Sequence, residues 1–215
     1  MSNPLALAFA AVTATSVALA LTFVRLERPG AYAITKTVAS LGFLGVALAV
    51  GAMEAPWSRV AFAALVLSAA GDVALSVRGR TGFFVGLACF MVAHGAYTVA
   101  FGMYGVGGAT LGVTTVLAAL GMGGVWWVLR RRIPAALRVA VGAYVIILAA
   151  MVATGAAAAV AHGATWLGAG AVLVAGSDVA VARERFGRSM FANKLAGLPA
   201  YYLGQILIAA SLGGG

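Results

Sequence analysis

The chain has 215 residues, of which 63% are hydrophobic and only 9% charged. A soluble globule carries about 45–50% apolar and about 25% charged residues, so this composition excludes one, along with a disordered tail or a disulfide scaffold. The formal net charge of +9 would point to nucleic acid in a soluble protein, but here 14 basic residues are spread thinly along a hydrophobic chain. The one cysteine, Cys89, permits neither an internal disulfide nor a cysteine metal site.

A helix needs about 20 mostly apolar residues to cross a bilayer. Apolar runs between clusters of Arg, Pro and Gly predict eight such helices, over 5–24, 32–51, 59–77, 83–102, 108–129, 136–155, 164–182 and 194–212. The segments are continuously apolar rather than alternating, which argues against a β-barrel. The expected fold is therefore an all-α polytopic bundle, a single transmembrane domain over 1–215. The first segment lacks a basic stretch before it and is followed by Arg25 and Arg28, so it reads as a reversed anchor rather than a signal peptide.

The basic residues test this count. The connections after the first, third, fifth and seventh helices, with adjoining helix ends, hold 13 of the 14. These are Arg25, Arg28, Lys36, Arg78, Arg80, Arg130, Arg131, Arg132, Arg138, Arg183, Arg185, Arg188 and Lys194, against Arg59 alone on the other side. Both termini are expected outside, with the basic connections cytoplasmic. The implied location is the cell membrane, the cytoplasmic membrane in a bacterium. Trp57, Trp126, Trp127 and Trp166 read as interfacial anchors, and His162 as a solvated residue near an outer loop.

Helices three and seven carry related segments, Gly71-Asp72-Val73-Ala74-Leu75 and Ser177-Asp178-Val179-Ala180-Val181, with the aspartates 106 residues apart. Four helices per half would run both copies in the same direction, which suggests a parallel 4+4 repeat. Each aspartate lies roughly 7–9 Å inside its cytoplasmic helix end. Aspartate is too short to reach the interface from there, and ionisable residues inside a span are functional candidates by default. The competing reading is structural, with Asp72 and Asp178 paired to Lys36, Lys194 or nearby arginines. Both lysines lie near helix ends, where long side chains commonly extend to the interface. Ser68, four residues before Asp72, either orients it or bonds its own backbone. His94 reads equally as a functional group or as an interhelical hydrogen-bonding residue. Tyr97, Asn193, Tyr201, Tyr202 and Gln205 complete a polar set in the cytoplasmic half.

No Ser-His-Asp order, nucleophile elbow or phosphate loop appears. Two aspartates that converge in a low-dielectric pocket cannot both ionise cheaply, which leaves a proton donor beside a carboxylate base. A mixed zinc site of His94, Asp72 and Asp178 is conceivable but has no spacing signature. A proton-coupled transporter using the same aspartates, a metal-dependent membrane hydrolase of an ester or amide lipid and a structural lipid-binding bundle are the rival readings.

From Lys36 to Ile208 the chain resembles the YhhN-like lysoplasmalogenases, eight-span membrane hydrolases of the lysoplasmalogen vinyl ether bond. The resemblance rests on Gly71-Asp72, on 84–90 leading to His94 and Tyr97, on Ser177-Asp178 with Phe186 downstream, and on Tyr201-Tyr202 followed by Gln205. Family members often carry proline after the helix-two lysine, where this chain has Thr37. The resemblance implies that Asp72 and Asp178 are the catalytic pair. It further implies a lysophospholipid substrate drawn from membrane lipid, with no nucleic-acid partner and with no metal or organic cofactor required. A basic rim of Lys36, Lys194 or Arg183 is the candidate holder of the lipid phosphate.

Overall fold

The computed structural model describes residues 3–77, 79–187 and 190–213. Among these residues the only regular structure is helix, with eight helices long and apolar enough to cross a membrane. In chain order they are α1 Pro4–Arg25, α2 Pro29–Ala49, α3 Pro56–Ser76, α4 Arg80–Tyr104, α5 Gly108–Leu129, α6 Arg138–His162, α7 Thr165–Phe186 and α8 Phe191–Ala210. The chain is a multi-pass membrane protein.

The helix boundaries have local causes. Prolines open α1, α2 and α3, where the missing N–H is one that no helical turn would satisfy. Asn3 caps α1 through its Oδ1, which accepts the Leu5 N–H at 2.9 Å. Gly163 ends α6 with φ of 64°, a left-handed conformation that favours glycine. Helix α6 runs seven residues beyond the expected 155, because the alanine-rich stretch before His162 continues the helix. Helix α7 likewise runs past the expected 182 and takes Arg183, Glu184 and Arg185 onto its last turn. Arg78 and Arg188, counted above among the basic connections, lie outside the described residues.

The helices pack chiefly as consecutive hairpins, α1 on α2, α3 on α4, α5 on α6 and α7 on α8. Further contacts of α4 on α6, α6 on α7, α2 on α3 and α2 on α8 close the bundle. Helix α5 leans on α6 and touches α7 slightly, and although it follows α4 directly the two barely meet. Close approach is achieved with small residues, as expected where lipid supplies no hydrophobic drive. A Cβ on Gly204 of α8 would stand 2.9 Å from the Gly170 carbonyl oxygen of α7, so those two backbones meet directly.

At the end of the bundle opposite the basic connections, Tyr104 is stacked between Trp57 at 4.0 Å and His162 at 4.1 Å. Trp57 is buried in this stack and not an interfacial anchor, a correction to the sequence reading. Arg59, the isolated basic residue of that end, donates from Nε to the Met53 carbonyl at 2.8 Å and so ties down the α2–α3 loop.

Candidate functional site

Each aspartate sits on a face of its helix that the neighbouring helices cover. Gly71 lets the Phe90 ring of α4 lie against α3 beside Asp72, since a Cβ there would stand 2.8 Å from the ring. Asp72 is almost wholly buried. Its Oδ1 lies 3.1 Å from Lys36 Nζ. Its Oδ2 accepts from the Ser40 hydroxyl at 2.8 Å and from the Tyr201 hydroxyl at 2.9 Å. Lys36 and Ser40 are four residues apart on α2 and therefore share a face. Lys36 does not reach toward the interface as expected. It is buried, and its own carbonyl accepts from the Tyr202 hydroxyl at 3.1 Å.

Asp178 on α7 has different partners. The Tyr144 hydroxyl of α6 donates to its Oδ2 at 2.7 Å. His94 Nε2 of α4 lies 3.5 Å from the same oxygen, without a formed hydrogen bond. The imidazole is fully buried, with Phe90 stacked on it at 6.3 Å and Tyr144 edge-on at 5.4 Å. Neither Lys36 nor Lys194 pairs with Asp178. Among the described residues, Asp72 has a cation beside it and Asp178 does not.

Both aspartates line one cavity of about 300 Å³. Lys36, Asn193, Lys194, Tyr201 and Tyr202 line it too, and most of the remaining wall is apolar, including Leu87, Met122, Val145 and Leu148. His94, Tyr97 and Gln205 lie behind that wall. Tyr97 donates to Gln205 Oε1 at 2.7 Å, joining α4 to α8. Gln205 Nε2, both His94 nitrogens and Ser68 Oγ are buried with no hydrogen-bond partner. Ser68 thus neither orients Asp72 nor bonds its own backbone. At the mouth, Glu184 accepts from Asn193 Nδ2 at 3.0 Å and faces Lys194 Nζ at 3.9 Å. Among the described residues no three His, Cys, Asp or Glu side chains gather as a metal-ligand group, so His94, Asp72 and Asp178 do not converge as a zinc site.

Sequence reasoning missed Ser40, Tyr144, Glu184 and Arg185, all of which touch the aspartates or line the cavity. Ser40 had a signal in its helical spacing from Lys36, and Tyr144 in being a hydroxyl inside an otherwise apolar span. Glu184 and Arg185 were hidden by ending helix seven too early.

The YhhN family model matches residues 31–212, which contain every residue of the site. The chain belongs to the YhhN family. It is also 32% identical over 157 residues to the Bos taurus protein named lysoplasmalogenase TMEM86A. That similarity covers 70% of this chain and 63% of the relative, so the chain spans somewhat under two thirds of the length of the curated relative it matches. No solved structure matches it. The family match takes in both aspartates, the α6 tyrosine and the polar residues of α8 alike.

Proposed function

We propose that this chain is a lysoplasmalogenase. It hydrolyses the vinyl ether bond of a lysoplasmenyl-ethanolamine or lysoplasmenyl-choline to a fatty aldehyde and a glycerophospho-base. The reading rests on family membership, on the similarity to a protein of that name, and above all on one observation. Two intramembrane carboxyl groups line a single apolar-walled cavity, and among the described residues only one of them has a cation beside it.

The inequality supports a division of roles. A buried carboxyl without a countercharge is cheapest as the neutral acid, whereas one beside an ammonium and two hydroxyls is stabilised as the anion. Asp178 is accordingly the proton donor and Asp72 the carboxylate. Asp178 protonates the vinyl β-carbon, and the π electrons of the double bond form that C–H bond. The adjacent carbon and its ether oxygen then share the positive charge, which the Asp72 carboxylate and the newly ionised Asp178 stabilise. Water adds to the cationic carbon and gives a proton to Asp72. The hemiacetal collapses as Asp178 takes the hydroxyl proton and Asp72 protonates the departing glyceryl oxygen. The carbon–oxygen bond breaks, the aldehyde forms, and both residues return to their starting states.

The test uses detergent-purified protein supplied with lysoplasmenyl-ethanolamine or with the corresponding saturated lyso-ester, with aldehyde and fatty acid both measured. Aldehyde is the expected product, its release surviving a chelator. Asp72→Asn and Asp178→Asn should each lower the rate by about 10²-fold or more, the scale of a positioned proton-transfer group. Unchanged aldehyde release in either variant overturns the paired-carboxylate mechanism, and fatty acid release lost on chelation would favour a metal-dependent ester hydrolase instead.

A further inference from the structure

The described cations lining the cavity are Lys36, Arg185 and Lys194. Lys36 is engaged by Asp72 at 3.1 Å, and Lys194 faces Glu184 at 3.9 Å. Arg185 differs from both. Its guanidinium lies over the Phe83 ring at 4.4 Å, and no carboxylate among the described residues is within ion-pair distance of it. An aromatic ring engages one face of a guanidinium and leaves its in-plane N–H groups for a planar or tetrahedral oxyanion.

Position along α7 gives this cation a defined distance from the chemistry. Asp178 and Arg185 are seven residues apart, so they share a face of the helix about 10 Å apart along its axis. In a lysoplasmenyl lipid seven bonds separate the vinyl β-carbon from phosphorus. At roughly 1.2 Å of extended reach per bond, that is about 8–9 Å. A lipid with its vinyl ether at Asp178 and its glycerol running toward the basic end of α7 brings its phosphate to Arg185. The hydrocarbon tail then runs the opposite way, along the apolar wall of Leu87, Met122, Val145 and Leu148.

We infer that Arg185 is the phosphate-binding residue of this cavity, holding the phosphodiester of a lysolipid two helical turns from Asp178. The inference rests on the lysolipid reading above and replaces the rim of Lys36, Lys194 and Arg183 expected from sequence. Arg183 is absent from the described cavity lining, and the two lysines are engaged by carboxylates.

Binding of an inert analogue separates this inference from the proposed reaction. The probes are 1-O-hexadecyl-glycerophosphoethanolamine, which has no vinyl ether, and 1-O-hexadecylglycerol, which has no phosphate. Both are titrated into wild type, Arg185→Gln, Arg185→Lys and the comparator Arg131→Gln, whose residue lies outside the cavity lining. Arg185→Gln should weaken binding of the phospholipid analogue about tenfold or more, the loss expected for a bidentate charge-assisted contact. Binding of hexadecylglycerol should not change. Arg185→Lys should recover part of the loss, and Arg131→Gln should match wild type. Equal weakening of both probes, an equal effect from Arg131→Gln, or no effect from Arg185→Gln overturns the assignment. Inorganic phosphate binding with the same dependence on Arg185 would make this a free-anion site and also overturn it. None of these outcomes depends on turnover, so a failure of the aldehyde assay leaves the binding result standing by itself.

Discussion

At the residue scale, the buried Lys36–Asp72 pair is the most exposed to substitution. Taking two charges from water costs several kcal/mol each, and their attraction repays this only when both partners and the remaining hydrogen bonds are present. Lys36→Met would leave Asp72 with the Ser40 and Tyr201 hydroxyls but no countercharge. We expect it to lower stability by about 3–5 kcal/mol, read as a lower thermal unfolding midpoint in detergent. Adding Asp72→Asn should restore most of that loss, because the orphaned charge is gone. A double variant no more stable than Lys36→Met would show that the lysine acts through packing. Tyr144 is the corresponding test on the other carboxyl, since its hydroxyl donates to Asp178 at 2.7 Å. Tyr144→Phe keeps the ring against His94 and removes only that bond. It should lower the aldehyde-release rate about tenfold or more, with a smaller effect on stability than Lys36→Met, because a hydrogen bond to a neutral carboxyl is worth about 0.5–1.5 kcal/mol. A rate within twofold of wild type would remove Tyr144 from the mechanism.

At the scale of elements, the two aspartates have matching neighbours. Asp72 on α3 is met by α2 and α8, and Asp178 on α7 is met by α6 and α4. Advancing every helix by four places, with α8 passing to α4, converts the first set into the second. A parallel 4+4 repeat, expected from the duplicated Asp segments, would produce this correspondence. The two neighbourhoods differ in one partner, an ammonium from α2 beside Asp72 and a phenol from α6 beside Asp178. The α7–α8 hairpin that carries one aspartate and the Tyr201-Tyr202 pair depends on the meeting of Gly170 and Gly204. A side chain at Gly204 meets backbone that cannot rotate away, so Gly204→Val should cost about 1–3 kcal/mol of stability and Gly204→Ala less. Thermal unfolding midpoints of the two variants check the order. A Gly204→Val midpoint equal to wild type would mean that the helices separate there without penalty.

On the scale of the whole molecule, the number and type of elements were legible because a bilayer sets one length for every helix, and the alternation of arginines punishes a miscount. The aspartates were legible too, since so few charges can be hidden in a chain this apolar. Their partners were not. Tyr144 lies 34 residues from Asp178, and Tyr201 lies 129 from Asp72, so only the lateral packing of helices brings them together. Hydropathy records which residues are inside the bilayer, not which helix face meets which. The same limitation applies to orientation, where the 13-to-1 division of basic residues is an argument from insertion energetics rather than packing. It predicts that the α5–α6 connection is cytoplasmic and the α2–α3 connection outside. Cysteines placed singly at Arg131 and Glu54, both exposed, in a Cys89→Ser background make the test. An impermeant maleimide on intact cells should label Glu54→Cys and leave Arg131→Cys untouched until the membrane is permeabilised. The reverse pattern would put the mouth of the cavity, with Arg185 and Glu184, on the outer face and require the lysolipid to be drawn from the outer leaflet. Labelling of both positions in intact cells would mean that the charge asymmetry does not orient this bundle at all.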